Sequence, residues 1–345
     1  MLTAGAGLAA IALWLYSRKQ DADGAANSRS MWEYAIADEP LRSAVEAAYE
    51  RNFDALYEFH HPSLPREVRA RRFATPAVWL PTWFSLSNDA KGQEPKGEWT
   101  VVSHQLLHIA ISARGDLAAP VSTAAEHFGR HLEGAIQSAD GALQHDPDDV
   151  EAMAMMMHGL QLAGLPDRKM HTELFTAIRE RDPEHFRGHV LELYSHGPRV
   201  GRGVTTLVGK ARELRDGAPA GSARHALIAK AHSEVVMGSW RFERIAPDEA
   251  NAIALEAERK QEVRDAWEVW HPSAQRDEAF ALTAFAIWFW NSQDKAMLRE
   301  ALTRLGTRFD GAAWQDWRAD PLVAFNEARK EVGMPPLTQD QLTAP

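Results

Sequence analysis

The chain has 345 residues, 45% of them apolar and 25% charged, with a formal net charge of −10 and no cysteine. That acidity argues against a general nucleic-acid binder, whose affinity comes from neutralising phosphates. The lack of cysteine excludes disulfides, zinc–thiolate sites and thiol nucleophiles.

Met1 to Tyr16 carries no charged side chain and is followed by Arg18 and Lys19. As a helix, Leu2–Tyr16 would span about 22 Å, against a hydrocarbon core of about 30 Å. No Lys or Arg precedes the apolar run, which counts against a secretory signal. The basic pair behind it places the main domain in the cytoplasm under the positive-inside rule. Residues 1–20 are therefore expected to be a short apolar helix that serves as a single-pass anchor in the cell membrane. The alternative is an interfacial or merely apolar tail on a cytoplasmic protein. Residues 21–30 (DADGAANSRS) are polar, small and aperiodic and read as a linker. Residues 31–340 are expected to form one helical repeat domain.

Leu41–Phe59 has an amphipathic pattern after Pro40, a residue suited to a first helical position. Between His61 and Gly97 lie Pro62, Pro65, Pro76, Pro81 and Pro95, which predict short helices and a packed loop. Arg66, Arg69, Arg71 and Arg72 in that stretch read as a solvated helix face. Trp99–Ala113 and Val121–Ala139 are helical stripes joined at Arg114–Gly115–Asp116. After Asp146–Pro147 an apolar helix runs to Gly164, and a second runs from beyond Pro166 to Arg181. Asp182–Pro183 then restarts the pattern. In both Asp-Pro junctions Asp is expected to cap free N–H groups, with Pro in the first turn. Ser222–Gly238, Asp248–Trp270 and Asp277–Trp290 follow. The last is apolar nearly all round and predicts a central buried helix. Lys295–Leu305 puts Leu298, Leu302 and Leu305 on one face before Gly306, a good residue to follow a helix. Asp320–Pro321 opens a last helix ending near Gly333. No run alternates with period two, so no sheet is expected.

Pro147 and Pro183 are 36 residues apart, close to the roughly 34-residue period of tetratricopeptide repeats. Trp99 to Gly333 resembles that repeat type. More closely, it is similar to an uncharacterised actinobacterial family of helical domains with no assigned activity. The resemblance is carried by Ala113–Arg114–Gly115–Asp116, the two Asp-Pro junctions and GAPAGSARHALIAKAH from Gly217, with Leu305–Gly306 and Asp320–Pro321–Leu322. It implies an all-α, tetratricopeptide-like α-solenoid of stacked helix hairpins behind the N-terminal helix, and it supplies no catalytic residue.

Gly203 to Lys210 invites comparison with a phosphate-binding loop. Five residues separate its glycines where four are needed, Ala211 follows the Lys, and no strand precedes it. Ser222 and Ser239 beside glycines lack the setting of a nucleophile elbow. Met153, Met155, Met156 and Met157 offer an adaptable binding surface as one reading, and core packing of Met153, Met156 or Met157 as the expected one.

Histidine is the one enriched reactive type, with 15 copies. His104 and His108, like His127 and His131, stand at i,i+4, the spacing at which one helix presents two metal ligands. In an antiparallel hairpin the four imidazoles would form two facing layers able to take a metal or a haem. The alternative places them on the helix flanks beside Val121, Ala125, Phe128 and Leu132. On these grounds the expected function is a membrane-tethered helical scaffold for a protein or peptide partner, with no nucleic acid, no cofactor and no inferred catalysis. The alternative is a metal- or haem-binding protein built on the histidine hairpin.

Overall fold

The computed structural model describes residues 121–338 and 341–342, apart from 165–166, 201, 242–244, 272–277, 316 and 318–320. The apolar N-terminus, the linker, the proline-rich stretch, His104 and His108 lie outside these residues. Among the described residues the chain is all-helical, with no strand, and no helix is long and apolar enough to cross a membrane. Packing divides the chain into two compact units, one comprising residues 1–159 with 339–344, the other residues 160–338.

In the first unit, α1 (Val121–His145) extends the expected stripe by six residues. It buries Leu132, Ala135, Ala139 and Ala142, spaced three and four apart, while Glu133, Gln137, Asp140 and Gln144 stay exposed. This is the face that a 3.6-residue period generates. Helix α2 (Val150–Leu162) has no such polar face. Met153, Met155, Met156 and Met157 are all buried, so the methionine run covers several sides of one core helix. The cap of α2 is Asp149, whose Oδ1 accepts from the N–H groups of Glu151 (2.9 Å) and Ala152 (3.1 Å). Asp146 instead accepts from Asp148 within the preceding turn.

The second unit opens with α3 (Arg168–Arg181), capped by Asp167 and burying His171, Phe175 and Ile178. Here too the Asp-Pro junction differs from expectation. Asp182 Oδ1 turns back to Glu184 N–H, and α4 (Phe186–Tyr194) is capped by the His185 imidazole, which accepts from Gly188 N–H at 3.1 Å. Pro147 and Pro183 therefore lie in turns just ahead of their helices. A proline fits there for the same reason it fits a first helical turn: it has no N–H to satisfy. After two short 3₁₀ turns, α5 (Leu207–Arg215) buries Leu207, Ala211 and Leu214. A 3₁₀ turn at Ala223–Ala226 leads into α6 (Leu227–Arg241).

The expected single helix over 248–270 is two. Helix α7 (Pro247–Ala254) stops where Glu256 turns extended, with ψ 127°, and α8 (Ala257–Trp270) restarts. Helix α9 (Glu278–Asn291) is the central buried helix that its composition predicts, with every residue from 281 to 290 inside. Helix α10 (Lys295–Leu305) ends at Gly306, whose φ of 67° lies in the region only glycine adopts cheaply. Short α11 (Gly311–Gln315) and α12 (Pro321–Glu331) complete the unit.

Helices pack first on their neighbours in sequence, α5 on α6, α9 on α10 and α11 on α12, and the α6–α9 contact joins the two halves. Trp267 and Trp270 of α8 lie on Phe285 at 5.2 Å between ring centroids, and Trp267 reaches Phe289 at 5.6 Å. A second cluster joins Trp290, Trp314, Phe325 and Phe309.

Helix α6 depends on a missing side chain. A Cβ at Gly238 would meet Pro198 Cγ at 2.7 Å and Val204 Cγ1 at 2.9 Å. Pro198 and Val204 belong to the loop before α5, so this glycine is where that loop seats on α6. Gly238→Ala is expected to destabilise the protein by about 1–3 kcal/mol through overpacking. Gly209→Ala is the contrast: Gly209 is exposed on α5, and a Cβ there meets nothing within 4 Å. It should be stabilising by roughly 0.5–1 kcal/mol, the usual gain of Ala over Gly inside a helix. Urea denaturation of the two variants checks both signs.

Candidate functional site

Among the described residues, chemistry-bearing side chains gather in the second unit, around two carboxylates. Glu192, on the last turn of α4, is buried and receives three groups. Lys210 Nζ from α5 approaches Oε1 at 3.1 Å. His196 Nε2, one turn further along the chain, meets the same oxygen at 3.2 Å. His171 Nδ1 from α3 stands 3.5 Å from Oε2. Glu262, on α8, receives Arg212 of α5 in a fork (2.6 and 2.9 Å) and His232 Nε2 of α6 at 2.9 Å.

The protonation of these imidazoles follows from their partners. A carboxylate only accepts and a guanidinium only donates. His196 meets Glu192 through Nε2 and Arg202 Nη1 through Nδ1, at 3.0 Å. His232 meets Glu262 through Nε2 and Arg259 Nη1 through Nδ1, at 3.2 Å. In both, the neutral ring donates from Nε2 and accepts at Nδ1. His171 is the other tautomer: the Gln161 amide donates both to Leu191 O and to His171 Nε2, leaving the proton on Nδ1 toward Glu192. Burial lowers the pKa of all three rings in spite of the adjoining carboxylates. At neutral pH these contacts are hydrogen bonds to neutral rings rather than ion pairs.

The cations behave differently. Burial works against the Lys210 ammonium, but its bonds to Glu213 and Glu192 outweigh that and hold it above its ordinary pKa. It is therefore a charged tether and a poor nucleophile. Glu262 is desolvated too, yet the hydrogen bonds from Arg212 and His232 hold its pKa down to about 2. Arg224, buried at the start of the 3₁₀ turn before α6, donates to the carbonyls of Leu214 and Asp216 and to Glu184. Ser222 Oγ bonds the same Glu184 carboxylate.

The arrangement is thus one of bound, oriented side chains whose polar atoms face one another. It suits the joining of helices α3, α4, α5, α6 and α8 more than acid–base turnover, because the rings at Glu192 and Glu262 have both nitrogens engaged. Among the described residues no group of three or more His, Asp or Glu is placed to hold a metal ion.

None of the four histidines singled out from the sequence is among these residues. His104 and His108 are outside the described residues. His127 and His131 stand one turn apart on α1, and their side chains are outside the description. Sequence spacing could have flagged Glu192 with His196 at i,i+4 and Arg259 with Glu262 at i,i+3. The His232–Glu262 and His171–Glu192 contacts join different helices and leave no local trace. The Lys210 singled out as a failed phosphate-loop lysine is in fact the ammonium on Glu192.

His189, on α4, contributes to the acid response of the second unit alongside the other buried imidazoles. Burial lowers its pKa from 6.5 to about 4, while its Nδ1 donates to His185 O at 3.0 Å. The folded chain binds this proton only near pH 4, whereas the unfolded chain binds it near 6.5, so acid favours unfolding in between. From this residue alone, stability should be intact above pH 6.5 and fall by about 3 kcal/mol by pH 4. Glu262 adds little to that loss above pH 5, since its stabilisation is lost as pH falls through its ordinary value of 4.5 toward about 2. Denaturation midpoints at pH 7.5, 5.5 and 4.5 read the slope, and His189→Leu should lower proton uptake on unfolding by about one. Compared with protein-family models, curated proteins and solved structures, the chain matches none of them.

Proposed function

We propose that the chain is a membrane-tethered, tetratricopeptide-like helical scaffold that holds a protein or peptide partner. The observation that carries this reading is the serial packing in the second unit. Helix pairs α3/α4, α5/α6, α9/α10 and α11/α12 follow in chain order, with α7 and α8 set between the second and third, and with α4 against α6, α6 against α9 and α10 against α12. A chain built of stacked hairpins grows an extended side surface, and repeat proteins use such surfaces to bind partners. The described surface offers apolar side chains of the kind that anchor a partner. Trp240 on α6 is 44% exposed, with Leu255 and Val269 exposed to a similar degree. Tryptophan is the residue type most enriched among binding hot spots. Attachment to the membrane is assigned to Met1–Tyr16, with Arg18 and Lys19 on the cytoplasmic side.

A second reading keeps the metal or haem site, because α1 carries His127 and His131 four residues apart on one helix.

Two measurements separate these readings. A photo-crosslinking residue at position 240 in the full chain, expressed in its native cells, should yield a discrete protein adduct. The same probe at exposed Glu173 should not, and no adduct from position 240 would overturn the scaffold reading there. Full-length chain should sediment with membranes and be released by deletion of residues 1–20 with helicity unchanged. Stoichiometric metal or haem in chelator-free protein would instead favour the second reading, and His127→Ala with His131→Ala should then abolish it.

A further inference from the structure

The two carboxylates of the second unit carry the same three-part arrangement on unrelated segments. In each, a neutral imidazole gives its Nε2 proton to a carboxylate and accepts at Nδ1 from a guanidinium: Glu192–His196–Arg202 and Glu262–His232–Arg259. An imidazole held this way has no vacant nitrogen. It can take up a proton only at Nδ1, and only by expelling the guanidinium that occupies that lone pair. We propose that these are a pair of acid-released latches, each freeing one peripheral segment while the α6–α9 core stays folded.

What each latch holds is set by the chain around it. Arg202 lies in the loop between α4 and α5, so its bond to His196 closes that loop on itself. On the other sides of the His196 ring stand Glu192 from α4 and Lys210 from α5, and His171 from α3 reaches the same carboxylate. Arg259 lies on the first turn of α8. The charges acting on His232 are Arg259 and Glu262 from α8 and Arg212 from α5, and from α9 it meets the Trp288 ring at 5.2 Å. A positive charge on either ring would therefore face two cations already present, Lys210 and Arg202 in one case, Arg212 and Arg259 in the other. The carboxylate keeps its bond to the charged ring, and the guanidinium is the part that leaves. Arg259 has a waiting partner in Glu256, at 2.7 Å on its own segment. The far end of α8 is fixed separately by buried Trp267 and Trp270, so release is confined to its first turns.

Hydrogen exchange of the full chain, corrected for the intrinsic pH dependence of amide exchange, tests this directly. Between pH 7.5 and 5.0, amides of 197–206 and 257–262 should gain about tenfold in exchange over and above any rise at 281–290, whose amides report the global stability change, the pattern of local opening. His232→Gln should abolish the gain at 257–262 and leave that at 197–206. His196→Gln should do the reverse. A uniform rise across the helices, or a gain that survives in the matching variant, overturns the proposal. If a variant fails to fold, imidazole ¹⁵N shifts of the unaltered chain decide. At pH 7.5 both rings must show a bare Nδ1 and a protonated Nε2, and any other state overturns it.

Discussion

Helix α9 has no polar face, and the second unit is arranged around that fact. A helix whose residues 281 to 290 are all buried must be covered on every side, since each apolar side chain left in water forfeits on the order of 1.5–3 kcal/mol. Coverage comes from α6, α8 and α10 with the 3₁₀ turn before α6, and aromatic rings from α8 fill the space where helices cross. The Trp267–Phe285 pair is nearly perpendicular, at 89°, the edge-to-face geometry that the ring quadrupoles favour.

Covering a central helix forces other helices inward, and some of them carry charge. Glu192 and Arg224 are buried, as is the neutral His232, and an unpaired charge there would cost several kcal/mol. The structure answers by pairing the carboxylates of these clusters. Glu192 is met from α3, from α5 and from the turn after α4; Glu262 is met from α5 and α6; Asp294 caps α10 and also takes Arg264 of α8 at 2.7 Å. The polar clusters and the apolar core are therefore one design problem, since each cluster stands where a helix had to approach the centre.

Much of this was legible in the sequence, and the parts that were not share a cause. The buried character of α9, the α10 stripe ending at Gly306 and the methionine-rich α2 follow from composition and spacing within one segment. The Asp-Pro junctions were placed correctly but misread in detail. Asp149 and His185 do the capping, because each chain needs a turn after Asp-Pro before its helix can begin. The break between α7 and α8, at exposed Glu256, has no glycine or proline to announce it. The carboxylate clusters were invisible for the same reason, because His232 and Glu262 are 30 residues apart and nothing local records their contact. The histidine quartet stood out because its spacing is local, and local spacing is all that a single sequence displays.

The Arg224 guanidinium has one more consequence, for the lengths of its connections. It binds the carbonyls of Leu214 and Asp216 where α5 ends, and it binds Glu184 in the turn before α4. Two junctions of the chain, α3–α4 and α5–α6, thus converge on one planar group with fixed donor directions. Surface turns usually accept added or lost residues freely, but the segment from Asp216 to Ser222 is a measured span between two ends of the same clamp. Its length is as constrained as a core residue's volume, and natural variation in this protein should avoid it while accumulating in turns that touch no such group.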